Sequence, residues 1–103
     1  MNFINLTPHP IKLNDGREFL PTGQVARVSA TFTETIGDIC SQEFGQVENV
    51  PEPIEGTKFI VSNIVLQAAK AQGRTDLVAP ATGHPDTIRN EKGWIVSVPC
   101  FVD

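Results

Sequence analysis

Residues 57–73 read TKFIVSNIVLQAAKAQG, and the fold turns on this stretch. Thr57–Val61 runs apolar through Phe59, Ile60 and Val61, as a strand buried on both faces does. Ser62 follows as a helix N-cap, its hydroxyl placed to accept from an orphan N–H of the first turn. NIVLQAAKAQ then carries helical spacing, with Ile64, Ala68 and Ala71 on one face, Val65 at its margin, and Gln67 and Lys70 toward water. Gly73 suits a left-handed C-cap, and Lys70 and Arg74 suit the negative end of the helix dipole. A helix of about ten residues is not stable alone, so packing must hold it. The spacing predicts one strand-to-helix unit, with the helix over about 62–72.

Short strands surround this unit. NFINL (2–6) is an apolar run ended by Thr7-Pro8-His9-Pro10, where each proline holds the preceding residue extended and lacks an N–H for a ladder. Asn14-Asp15-Gly16 lies between IKL and REFL and signals a hairpin. Residues 25–34 alternate, with Val28, Ala30 and Phe32 on one side and Arg27, Ser29, Thr31 and Thr33 on the other. Gly37-Asp38 turns into 39–48, where Ile39, Phe44 and Val47 are apolar and Gly45 marks a bulge. Pro51-Glu52-Pro53-Ile54-Glu55-Gly56 is a rigid loop. Leu77-Val78-Ala79 is a strand stopped by Pro80, and a last hairpin (87–90 and 94–102) turns at Glu91-Lys92-Gly93. The predicted fold class is α+β: one domain over 1–103, about seven short, mostly antiparallel strands, a partly closed barrel as a variant, and one helix on the sheet.

Composition excludes several functions. The 103 residues carry a net charge of -4, with eight Lys and Arg scattered rather than clustered. Counterion release therefore gives little affinity for a nucleic-acid duplex, and an anionic membrane is no better matched. No run reaches membrane-spanning length, and no signal peptide opens the chain, so a cytoplasmic location is expected. Cys40 and Cys100 are the only cysteines and lack metal-ligand spacing. They are expected as reduced core thiols, without a disulfide being excluded. No dinucleotide or phosphate loop is present, and no cofactor or metal is expected.

Among residues that carry chemistry, His9 and His84 are each followed by proline, and neither has a serine or cysteine beside it in sequence for nucleophilic catalysis. Glu52 with Glu55, and Asp76 with Asp86, read as solvated loop acids rather than acid/base pairs. The helix start at Ser62-Asn63 offers free N–H groups to an anion, although an ordinary N-cap is the commoner reason for such a residue. Arg74 suits bidentate binding of a phosphate or carboxylate, or a local pair with Asp76.

Four segments, Ile4–Pro10 (INLTPHP), Val50–Ser62 (VPEPIEGTKFIVS), Gly73–Pro80 (GRTDLVAP) and Ile88–Val96 (IRNEKGWIV), together resemble a family of small, largely uncharacterised bacterial and bacteriophage proteins. The resemblance spans most of the chain except 30–48 and implies a shared fold and surface, not a reaction. The polar residues in or beside those segments, Asn5, Thr7, His9, Glu52, Thr57, Ser62, Asn63, Arg74 and Asp76, are the candidate ligand-binding set, and they form one compact patch if the sheet brings them together. The first functional expectation is a non-enzymatic binder that sequesters a nucleotide-like signal, an anti-defence role for a phage, with Ser62 and Arg74 on the phosphates. The alternative is a protein-interaction module or inhibitor of a host enzyme that uses an edge strand. A small hydrolase using His9 or His84 is third. A small sheet with edges also invites homo-oligomers.

Overall fold

Phe59, Ile60 and Val61 have no solvent exposure, so the strand that carries them needs neighbours on both sides and cover on both faces. The computed structural model describes residues 1–103 and supplies both. Its elements are β1 (Asn2–Asn5), β2 (Ile11–Lys12), β3 (Glu18–Phe19), β4 (Arg27–Phe32), β5 (Gln42–Glu48), β6 (Thr57–Ile60), α1 (Asn63–Ala71), β7 (Leu77–Pro80), β8 (Ile88–Arg89), β9 (Ile95–Ser97) and β10 (Phe101–Val102). The main sheet has four strands in the order β1-β6-β7-β10. β6 pairs in parallel with β1 (Asn2↔Thr57 to Asn5↔Ile60) and with β7 (Phe59↔Leu77, Ile60↔Val78). β10 closes the sheet antiparallel to β7.

The expected α+β class and single helix are present. Ten short strands replace the predicted seven, and the sheets do not close into a barrel. Three two-stranded antiparallel ladders, β2-β3, β4-β5 and β8-β9, surround the mixed sheet.

Ser62 caps α1 as expected, its hydroxyl accepting from the Val65 N–H at 3.4 Å. Gly73 leaves the helix with φ +91, a conformation that a side chain would disfavour. The buried face differs from the expected one. Val65, Leu66, Ala68 and Ala69 face the sheet, while Ile64 is 45% exposed and Ala71 is exposed. Apolar residues go almost round this helix, so spacing alone does not fix its rotation. Ala69, with no exposure, lets the axis approach the sheet, and Leu66 fills the space beside it. The core thus joins Leu6, Phe59, Val61, Val65, Leu66 and Leu77. The opposite sheet face carries Phe3, Phe19 and Phe101 in mutual contact, with centroids 5.0–5.6 Å apart.

The β4-β5 ladder leaves this body as an arm. Val28 and Val47 pair across its base and pack on the core. Every residue from Ser29 to Gln46 is exposed. Ser29 faces a bulge on β5, because Val28 pairs with Val47 but Ala30 with Phe44, which places Gly45 in the bulge as predicted. A Cβ at Gly45 would collide with Ser29 Oγ. At the tip, Ile36 and Ile39 exchange both backbone hydrogen bonds (2.8 and 3.1 Å). Gly37 and Asp38, both at positive φ, make the type I′ turn that suits a hairpin's twist.

Candidate functional site

Parallel strands sort the nine predicted site residues into two groups. Asn5 ends β1 and Thr7 and His9 follow it, beside Ser62 and Asn63 past the end of β6. Glu52, Thr57, Arg74 and Asp76 lie at the opposite edge, where β6 and β7 begin. At about 3.3 Å per residue, four residues of strand separate the groups by about 13 Å. They do not form one patch. The nine-residue helix likewise holds Ser62 and Arg74 at its two ends, about 14 Å apart, so the two do not clamp one phosphate together.

Most of these polar groups already serve the fold. Asn5 is 1% exposed. Its Nδ2 donates to the carbonyls of His9 (2.8 Å) and Phe19 (2.9 Å). Its Oδ1 accepts from the Thr7 N–H (2.9 Å) and lies 2.7 Å from Thr7 Oγ1. The Thr7 hydroxyl proton is shared between this oxygen and the His9 carbonyl at 3.0 Å. The network pins the Thr7–Pro10 crossing to β1 and β3.

Arg74 forms the local pair. Its Nε and one terminal nitrogen donate to the two Asp76 carboxylate oxygens, each at 2.8 Å, and that nitrogen also donates to the Pro51 carbonyl at 3.0 Å. These bonds tie the helix exit to β7 and to the proline loop. The guanidinium's hydrogen bonds hold the Asp76 carboxyl below its ordinary range, and the carboxylate in turn raises Arg74.

Neither imidazole is hydrogen-bonded to a serine, threonine or cysteine side chain. His84 Nδ1 accepts from the Asp86 N–H at 3.0 Å. His84 lines a shallow depression of about 290 Å³ with Asn63, Thr82 and Gly83, where β7 ends beside the N-terminus of α1. A wider open cleft of about 390 Å³ lies against Phe3 and Phe101, rimmed by Arg17, Lys58 and Asp103. No group of three or more His, Cys, Asp or Glu converges as metal ligands. Cys40 and Cys100 are free thiols, but both are exposed rather than in the core. Cys40 sits in the exposed part of the arm and Cys100 in the turn between β9 and β10. No helix is long and apolar enough to cross a membrane.

The feature that the polar motifs did not point to is the arm itself. Val28, Ala30 and Phe32 share one face of β4, with Val47 and Phe44 opposite on β5. At the base this stripe is core; further out Phe44 is 39% and Phe32 66% exposed, and at the tip Ile36 and Ile39 reach 79% and 73%. The period-two pattern of 25–34 showed the stripe but not that the body ends beneath it.

The two edges of the arm differ. On β5, the Gln72 side chain covers the outward groups near the base, donating to the Gly45 carbonyl (2.8 Å) and accepting from the Val47 N–H (3.4 Å). On β4, the Thr33 N–H faces inward to the Ser41 carbonyl at 2.8 Å. By the alternation of an antiparallel ladder, the N–H and C=O groups of Ala30 and Phe32 then face outward. Nothing covers that edge, and residues 28–33 contain no charge and no proline to guard it.

The molecule is open for its size. Its accessible surface is 6917 Å², against about 5,700 Å² for a folded monomer of 11.2 kDa. Its radius of gyration is 15.2 Å, against about 13 Å for a compact chain of this length. The chain matches no family model, no curated protein and no solved structure.

Proposed function

We propose that this protein is a protein-interaction module whose β4-β5 arm docks on a protein partner. One observation carries the reading: the core's apolar stripe continues along the arm into solvent, beside an unguarded strand edge. A two-stranded hairpin is marginal by itself in water. The excess surface of about 1,200 Å² exceeds the roughly 800 Å² that one partner buries in a standard interface. An edge strand gives affinity through main-chain bonds and specificity through alternate side chains. The resemblance to small bacterial and phage proteins is compatible with this role, with a host enzyme as one class of partner.

The test is a photo-reactive phenylalanine analogue placed at Phe32, at Phe44 or, as a control, at Gln67 on the exposed face of α1, in the native host. Protein adducts are expected at the two arm positions and not at Gln67. An absence of adducts at both arm positions would overturn the proposal.

A second reading rests on a separate place. The depression at Asn63, Thr82 and His84 lies outside the C-terminal ends of parallel strands, where α/β sheets bind ligands. The N-terminal dipole of α1 favours an anion there, in keeping with a nucleotide-like ligand. Heating the purified protein and finding neither a released phosphate compound nor a thermal shift with nucleotides would remove this reading.

A further inference from the structure

Resting on the arm as the docking element, we infer that its partner is a second copy of this chain, joined by antiparallel pairing of β4 with β4 across a two-fold axis at Ala30. Gln72 caps the β5 edge at Gly45 and Val47, and β5 carries Glu43 and Glu48, so the uncharged 28–33 stretch of β4 is the less guarded edge. The outward-facing residues are then Val28, Ala30 and Phe32. A two-fold at Ala30 sets Ala30 opposite Ala30 and Phe32 opposite the partner copy's Val28. The smallest side chain sits at the axis, where two identical residues meet. Flanking it on each side is an aromatic–β-branched pair, a favourable cross-strand combination. No like charges oppose one another along the ladder, because Arg27, the only charged residue of β4, faces the level of Thr33 in the other copy.

The same register accounts for the tip. In antiparallel arms the tip of one lies beside the base of the other. Ile36, four residues beyond Phe32, reaches the body of the second copy about 13 Å past the Val28 level. The most exposed apolar residues of the arm, Ile36 and Ile39, are then covered by that body. The interface is isologous and closes as a dimer rather than growing into a chain. The excess surface of about 1,200 Å² per copy is sufficient for it.

The experiment uses the purified full chain and two variants, Ala30→Lys and Ala30→Glu, studied by light scattering and native mass spectrometry. Side chains at this position lie in open solvent in the isolated chain, so neither variant disturbs the core. The parent is expected at twice 11.2 kDa. Each variant alone places like charges across the axis and is expected to weaken dimerisation up to about fivefold. An equal mixture of the two sets Lys opposite Glu and is expected to restore a mixed dimer. A two-fold on or next to this residue gives that restoration, because it sets position 30 of one copy against position 30 of the other. A dimer unaffected by either variant, or a mixture that does not re-form it, would overturn the β4 pairing. A parent chain that is monomeric at about 100 μM would overturn the second copy as partner. In that case, adducts to a different protein at Phe32 and Phe44 would leave the interaction reading standing, and their absence would remove both.

Discussion

Asn5 shows how a polar residue in a conspicuous motif comes to serve the fold. Its amide has two donors and two acceptor sites, and all four are engaged inside the protein. Truncation leaves the Thr7 N–H without its partner and removes a donor from the Phe19 and His9 carbonyls, of which the latter keeps the Thr7 hydroxyl. Asn5→Ala is expected to cost about 3 kcal/mol in urea unfolding, because several buried groups lose their bonds together. The Arg74–Asp76 pair contributes less but depends on pH. Asp76 has a folded value lowered chiefly by its hydrogen bonds to Arg74. Its contribution is therefore complete above the unfolded carboxylate value of about 4 and is lost as the pH falls through the lower folded value. Asp76→Asn is expected to destabilise by about 1–2 kcal/mol at pH 7. The difference between parent and variant should shrink toward pH 2, as unfolding curves at the two pH values would show. The sequence offered Asn5 and Arg74 as ligand residues because hydrogen-bonding capacity is visible in a residue type, whereas its occupant is not. Arg74's partner lies two residues away and was legible; Asn5's partner carbonyls, those of His9 and Phe19, were not.

At the scale of elements, the strand-to-helix unit was legible because independent signals agree: a doubly buried apolar run, a serine cap, helical spacing and a glycine exit. Its rotation was not legible, since Ile64 and Leu66 are equally apolar in sequence. Substitutions separate them. Leu66→Ala is expected to cost about 3 kcal/mol, as a buried leucine does, while Ile64→Ala stays within about 0.5 kcal/mol. Ser62→Ala is expected to cost about 1 kcal/mol through the lost cap. Parallel pairing of β1 with β6 was also hidden. It joins residues more than 50 apart in the chain, and no turn marks such a pairing, whereas Asp15-Gly16 and Gly37-Asp38 announced their hairpins locally. The parallel pairing is what divides the polar motifs between two ends of the sheet.

The whole molecule is a small mixed sheet with one helix and an arm that its own core does not cover. Extents of 47 × 38 × 22 Å place much of the surface away from that core. The sequence held both the alternating pattern and the turn of the arm, but a half-buried strand and a strand awaiting a partner carry the same alternation. Only the position of α1, which ends beneath Val28 and Val47, distinguishes them. The direct measurement is hydrogen exchange at the Ala30 and Phe32 amides, taken dilute and again in the assembled state. Both N–H groups face away from β5, so they are expected to exchange quickly in the isolated chain and to be protected at least tenfold on assembly. Equal, rapid exchange in both states would mean that the β4 edge pairs with nothing and would contradict the account.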